Sequence, residues 1–447
     1  MGQQVIVGVD VGTTSIKALA VTPAGEILGE ASAATPWRHQ GAWADADAHE
    51  LADVAIDVCA RAAAEAGQVM AIGVTSIAEA GALIDRQGEP CAPILAWFDP
   101  RGDAASVRAV VDPRDYQRAT GRRLNSKPSL MKIMWLRANV ESARAAVRHL
   151  CVAEWIVRAL GGDEVSEASL SSRTGMLDVT ARAPWAGAVE LVGDLLPSQR
   201  VWAGDPAGIA RGERVPSILR GATLTVAGLD HQAAVLISGA AHDGALFDSM
   251  GTAEALIRTV AQPRTLDDIE WLTDRDIDVD WSVRPHHQIL LAGRLTGLTL
   301  ERVAAMLGAT DRETRRALAE SALSVSRGPD APVLADVSND AISLSGITDG
   351  VTPGLVWRSV VEDLTRMSSE ALEQMSHVVG PATSTVLGGG WTRNPMVAAA
   401  KREQLGDPTF VDIAEPGALG AAFLGGVAAE VCDRPGDDGV PRWPSSA

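Results

Sequence analysis

The chain has 447 residues, 46% hydrophobic and 21% charged, with a formal net charge of −18. That length suggests two domains able to bury large cores. The acidic balance argues against nucleic acid and anionic membrane surfaces as partners. Cys59, Cys91, Cys151 and Cys432 show no C-x-x-C spacing, so zinc, iron–sulfur and dithiol redox chemistry lack support. Scattered thiols, a start without a basic n-region and the absence of a bilayer-length apolar run point to a cytoplasmic location.

Val5–Asp10, Ser15–Val21 and Glu26–Ser32 read as three strands, with Pro23-Ala24-Gly25 turning between the last two, which makes an antiparallel meander. A helix follows, capped by Asp47, with Leu51, Val54, Ala55, Val58 and Ala62 on one face. Val69–Thr75 reads as a buried strand, and Ala82–Asp85 and Ile94–Trp97 as continuations of the sheet. Helical patterns fill Ser129–Ala138, Glu141–Leu150 and Glu154–Leu160. Near Thr223 the pattern restarts with a strand ending at Asp230 and then a helix. Gly244–Val260 gives strand, Met-Gly-Thr, strand, an echo of the opening unit about half a chain later, and so an internal repeat of domain size. The expected division is 1–222 and 223–447. Further helices are predicted over Leu298–Leu307, Arg312–Ser324, Leu355–Met375 and Ala418–Glu430. A strand over Thr383–Leu387 runs into Gly388-Gly389-Gly390, and the Pro- and Gly-rich tail from Cys432 is expected to be loose.

A strand end that meets a tight glycine turn exposes backbone N–H groups, which bind phosphate oxygens together with threonine hydroxyls. Gly12, Thr13 and Thr14 form one such turn and Gly251 with Thr252 a second. Lys17 adds a point charge for phosphate. Asp10 repels phosphate directly and makes sense with a magnesium ion between them, held largely through water. Gly389 and Gly390 offer a flat surface for a nucleobase, with Asn394 after them, either as a helix cap or as part of that site. Asp230 is either a plain helix N-terminal residue or the base that takes a proton from an attacking hydroxyl. Glu79, and Asp99 with Arg101, sit at strand ends, where they make either surface ion pairs or contacts to vicinal hydroxyls.

Together these segments resemble the FGGY family of carbohydrate kinases. The resemblance rests on "DVGTTSIK", "VTSIAEAGALIDRQGEPCAPILAWFDPR", "TGRRLNSKPSLMKIMWL", "VAGLDHQAA", "SMGTAEA", "LGGGWTRNP" and "EPGALGAAFLGG", which occur in order over nearly the whole chain. It implies an α/β chain of two actin-like (ribonuclease-H-like) domains with a cleft between them, and ATP-dependent phosphorylation of a small sugar or polyol. It also implies Asp230 as catalytic base and Asp10 as the carboxylate linked to Mg²⁺. Gly12, Thr13, Thr14, Lys17, Gly251, Thr252, Gly297, Gly389, Gly390 and Asn394 fall on the nucleotide side, and Glu79, Asp99, Arg101 and His231 on the sugar side with Asp230. A homodimer is compatible with the sequence. Three departures concern substrate identity. His231 stands where glutamine is usual, Glu254 where smaller residues are common, and the stretch around Pro332–Gly346 is shortened. The first two lean toward fuculokinase-like branches and a ketose-type substrate. An actin-like ATPase and a catalytically inert sugar-binding regulator stay open as other readings.

Overall fold

The computed structural model describes residues 3–338 and 341–444. Two mixed sheets repeat one strand order. In the first, Gln4–Val11 pairs antiparallel with Ser15–Val21, which pairs antiparallel with Ile27–Ala34. On its other side Gln4–Val11 runs parallel to Gln68–Ser76, and Thr223–Leu229 lies parallel beyond that. The second sheet places Ala245–Met250, Glu254–Val260 and Gln288–Arg294 in the same meander, with Ser384–Gly388 and Thr409–Phe410 parallel on the far side. Asp278–Trp281 adds an antiparallel outer edge. The repeat seen in the two strand–turn–strand units is thus a repeat of whole sheets, the actin-like arrangement.

Thr223–Leu229 hydrogen-bonds into the first sheet, so that sheet takes in residues beyond 222, where the sequence suggests a division. Its closing helix, Asp230–Ile237, packs with Val235 and Leu236 among Phe247 and Ile257 of the second sheet. Conversely, the last helix, Pro416–Ala428, lies on the first sheet. A Cβ at Gly8 would stand 2.0 Å from the Ala418 carbonyl oxygen, and one at Gly73 1.9 Å from that of Ala421. Small residues on both surfaces permit that approach. A shared apolar core, including Tyr116, Leu130, Leu272, Val279 and Leu290, also joins the segment around 107–196 to the second sheet.

Several local expectations are corrected. Glu141–Leu150 is not a helix: Glu141–Ala145 is a 3-10 turn, and Arg148–Cys151 is a strand paired with Gly81–Ile84. Ile94–Leu95 pairs with Trp43–Ala46, so neither 81–84 nor 94–95 extends the main sheet. The tail is pinned: Trp443 packs edge-on against Phe423 at 5.2 Å, and Arg434 Nη2 pairs with Asp205 at 2.7 Å. Asp47 caps Ala48–Ala63 as expected, accepting from the Glu50 amide at 3.0 Å. In the shortened 332–346 stretch, Val333–Val337 and Ile342–Ser345 form a hairpin; Asn339 and Asp340 lie outside the described residues. Among the described residues no helix is long and apolar enough to cross a membrane.

Candidate active site

The parallel strands Gln4–Val11, Gln68–Ser76 and Thr223–Leu229 are in register Asp10–Thr75 and Ser76–Leu229. Their carboxyl ends therefore meet at one edge of the sheet and deliver Asp10, Glu79 and Asp230 there, the edge where α/β sheets bind ligands.

The turn after Asp10 is tied back into the protein. The carbonyl of Gly12 accepts from Thr35 Oγ1 at 2.8 Å, that of Thr13 from Trp37 Nε1 at 2.8 Å, and that of Thr14 from the Thr35 amide at 3.1 Å. Since a trans peptide directs its N–H opposite its C=O, the Thr13 and Thr14 amides face the other way. Trp97 Nε1 donates to Thr13 Oγ1 at 2.9 Å, fixing that hydroxyl, while Thr14 is exposed. Lys17 is directed elsewhere: it stands opposite Asp10 in the ladder and grips Glu415.

Asp10 Oδ1 is enclosed and has no hydrogen-bond partner, and a Cβ at Gly417 would stand 2.4 Å from its Oδ2. Burial raises the Asp10 carboxyl well above its ordinary value; Asp230 and then Glu415 add to this, and Lys17 opposes it. Three carboxylates balanced by one ammonium, with an unpartnered enclosed oxygen, fit a divalent cation. Among the described residues no three His, Cys, Asp or Glu side chains converge on one metal position. The fit is therefore to a cation met mainly by Asp10 and completed by water and phosphate.

A bulge at Val226–Gly228 precedes Asp230. Gly228 has φ of 80°, and its carbonyl accepts from Thr75 Oγ1 at 2.6 Å. The Leu229 amide donates to Ser169 Oγ at 3.0 Å, which donates to Glu167 Oε2 at 2.7 Å. This buried relay fixes the Gly228–Leu229 peptide, which lies next to Asp230. Asp230 Oδ1 accepts from the His231 amide at 2.7 Å, with His231 Nδ1 at 3.1 Å and its ring half-exposed. Ser169 and Glu167 lie in "VSEASLSS", whose short polar run gave no signal of this role.

Glu79 is buried in the left-handed region, with φ of 58°, an uncommon setting for a non-glycine residue. Lys132 Nζ holds its carbonyl at 2.7 Å. Its carboxylate pairs with Arg173 and, at 3.5 Å, with Arg122. Burial works to raise the Glu79 carboxyl, but Arg173, Arg122 and Lys132 outweigh it and hold it below its ordinary value. The two arginines also pair with Asp278 and Asp280 on the edge strand of the second sheet. Glu79 thus sits in a network that joins both sheets.

Asp99 and Arg101 pair with each other inside the protein. Asp99 is buried; its Oδ2 accepts from the Ala44 amide at 2.6 Å and from Arg101 Nη2 at 2.7 Å. Arg101 also pairs with Asp45 at 2.8 Å, and its guanidinium lies 4.9 Å from the Trp43 ring and 5.2 Å from the Trp135 ring. These pairings form a latch that holds the 43–46 and 94–95 strands.

The second turn lines a cleft of about 860 Å³ that contains Gly251, Thr252, Gly390, Trp391 and Asn394. At Gly251 a Cβ would meet nothing closer than 3.6 Å, so protein packing alone does not demand glycine there. Gly297 and Gly389 back this turn rather than face the cleft: their Cβ positions fall 1.8 Å from the Gly251 oxygen and 2.5 Å from the Met250 oxygen. Asn394 caps Pro395–Leu405, its Oδ1 accepting from the Met396 and Val397 amides. Trp391, with the Arg315 guanidinium 5.5 Å from its ring, forms a wall that sequence reading did not single out. Beneath the turn, Lys401 Nζ pairs with Asp248 at 2.8 Å and Glu254 at 2.5 Å, all three buried. Glu254 is therefore a buried support of the turn.

Residues 5–197 match the family model described as the N-terminal domain of the FGGY family of carbohydrate kinases. Those residues are an FGGY-type N-terminal domain. Over 95% of its length it is 27% identical to an L-fuculokinase from Salmonella typhi, covering 92% of that protein. It is 26% identical over 94% of its length to a glycerol kinase from Aromatoleum aromaticum, covering 89% of that protein. Among solved structures, a xylulose kinase from Rhodospirillum rubrum superposes with a TM-score of 0.86 at 22% identity, covering 98% of this chain and 92% of that one. The two-sheet architecture described above is that of the FGGY kinases.

Proposed function

We propose that this protein transfers the γ-phosphoryl group of ATP to a hydroxyl of a small sugar or polyol, with a ketose favoured. The observation that carries this reading is the meeting of Asp10 and Asp230 at one sheet edge, beside a turn whose amides face outward. The sugar binds mainly against the first sheet, near Glu79 and His231, and the nucleotide mainly against the second, in the cleft of Gly251, Thr252, Gly390 and Asn394. Asp230 takes the proton of the attacking hydroxyl, and the relay through Ser169 and Glu167 keeps it in place. The Thr13 and Thr14 amides hold phosphate oxygens. Asp10 would hold Mg²⁺, which neutralises phosphate charge when bound. The ketose preference draws on His231 and agrees with the L-fuculokinase relative.

The test is ADP release across ketoses, aldoses, polyols and aldonates, run on the wild type and on Asp230→Asn. The variant should bind ATP normally and lose about 10²–10⁴-fold in turnover. Near-normal kcat in Asp230→Asn removes Asp230 from the mechanism, and no sugar-dependent ADP release from the wild type removes the kinase reading.

A further inference from the structure

The second sheet carries another cavity, of about 260 Å³, under the C-terminal ends of the helices Pro353–Val379 and Pro395–Leu405. Its floor is one row across three strands: Arg258 is the cross-strand partner of Leu246, which is the partner of Thr385. Arg258 lies four residues along its strand from Glu254, about 13 Å at the rise of an extended chain, and the Gly251–Thr252 turn lies beyond Glu254. The cavity is therefore separate from the nucleotide-side cleft, and no residue lines both.

Arg258 is 4% exposed, and no carboxylate pairs with it among the described residues. Its Nη2 donates to the carbonyls of Gly380 at 3.3 Å and Pro381 at 2.6 Å, and its Nε is enclosed without a partner. The direct partners of this enclosed guanidinium are carbonyls, and Asp243 acts on it only through space, so it keeps donor capacity for an anion. Gln404 supplies the complement. Its Nε2 donates to the Thr365 carbonyl at 3.0 Å and to Ser369 Oγ at 2.8 Å, which turns Oε1 away as an enclosed acceptor with no donor. Ser376 and Thr385 add hydroxyls to the lining, and Leu246, Leu372 and Met375 give it apolar walls.

We propose that this cavity is a binding site for a small hydroxylated organic anion, a carboxylate or phosphate monoester. The anionic group meets Arg258, a ligand hydroxyl donates to Gln404 Oε1, and the carbon skeleton lies against Leu246 and Met375. The occupant bridges one strand and one helix whose other ends reach the nucleotide side. Glu254 and Arg258 share a face of the strand, and Lys401 on the helix pairs with Glu254 beneath the Gly251–Thr252 turn. The helix runs about 16 Å from its Asn394 cap to Leu405. Binding at Arg258 is therefore coupled to nucleotide affinity, and the coupling is reciprocal. Only this coupling rests on the nucleotide reading of the larger cleft; the anion site does not.

The test is isothermal titration of the full chain with glycerol 3-phosphate and, separately, D-glycerate, using the wild type, Arg258→Gln and Thr385→Leu. Saturable binding of either probe to the wild type, weakened at least tenfold in both variants, is the expected result. The probe that binds tells phosphate from carboxylate. Thr385→Leu removes a lining hydroxyl and narrows the cavity while leaving Arg258 in the chain, so it decides the matter if Arg258→Gln does not fold. No binding to the wild type, or equal binding to all three proteins, overturns the site, because binding in the active cleft would ignore both substitutions. An ADP affinity that saturating probe leaves unchanged in the wild type overturns the coupling.

Discussion

Lys17 Nζ lies 2.9 and 2.8 Å from the two carboxylate oxygens of Glu415, a residue 398 positions later. Lys17 stands on the strand that leaves the first turn. Glu415, with φ of 46°, is the N-cap position of the last helix. The pair therefore fastens the second sheet's closing helix beside Asp10, where Gly417 makes room for the Asp10 carboxylate. Both side chains are more than a third exposed, at 39% and 37%. An exposed pair contributes about 0–1 kcal/mol to stability, so its value is in position.

Glu415→Gln and Lys17→Met separate two roles for the lysine. If Lys17 leaves Glu415 for phosphate when nucleotide binds, Lys17→Met lowers kcat/KM for ATP at least tenfold. Glu415→Gln, which frees the ammonium, lowers it little. Both variants should keep Tm within a few degrees. Equal losses in the two would leave Lys17 as a tether only.

Arg101 gives the opposite expectation. It is buried, paired with Asp99 and Asp45, and set beside two tryptophan rings. Breaking a buried pair by removing one partner costs about 3–5 kcal/mol, so Arg101→Ala should show mainly as a large fall in Tm. In folded protein its KM for the sugar should stay near wild type. Glu79→Gln should instead raise the sugar KM and leave the ATP KM alone. A sugar KM that rises only in Arg101→Ala would reverse the two assignments.

What the sequence shows here is what is set locally. The meanders, both glycine turns, the Asp47 cap and the strand–Asp230–helix step depend on short-range pattern and turn chemistry, and they are legible. Partner choice is not local. Nothing within "TLTVAGL" states that it pairs with 68–76 rather than with the second sheet. Residues 141–150 have a helical pattern, but pairing with 81–84 overrides it. Asp99 and Arg101 have the residue types for binding hydroxyls, yet only the fold shows Asp45, Ala44 and two indoles around them. Glu415, Ser169 and Trp391 were missed for the same reason: each acts through a neighbour far away in sequence.

Ser169 is a positioning residue with a measurable signature. Its hydroxyl accepts from the Leu229 amide and donates to Glu167. Ser169→Ala leaves that buried amide unsatisfied, a penalty of about 1–3 kcal/mol, and loosens the peptide next to Asp230. The expected result is a kcat reduced about tenfold with ATP affinity unchanged, measured on protein that is fully folded by circular dichroism. A variant with lower Tm and intact kcat would reduce Ser169 to structural support.

Behind Ser169 and Glu167 lies Glu154, buried, with Oε2 accepting from the Cys151 amide at 2.8 Å and Oε1 from the Glu167 amide at 2.7 Å. Burial pushes its carboxyl up from 4.5 to about 8, against the pull of those two amides. The unfolded chain releases this proton near the ordinary carboxylate value, while the folded chain keeps it until about pH 8. Between those values the folded state binds more protons, so the contribution of Glu154 is fully present below about pH 4.5 and is lost as pH rises toward 8. Glu154→Gln stays neutral throughout and keeps only one of the two acceptors. The wild type's advantage in Tm over Glu154→Gln should therefore be largest at pH 4.5–5 and shrink steadily toward pH 8. Because each variant is compared with the wild type at the same pH, other titrating groups cancel to first order. A Tm difference that is flat over this range, or that grows with pH, would mean that Glu154 is ionised in the folded protein and that the two amides outweigh its burial.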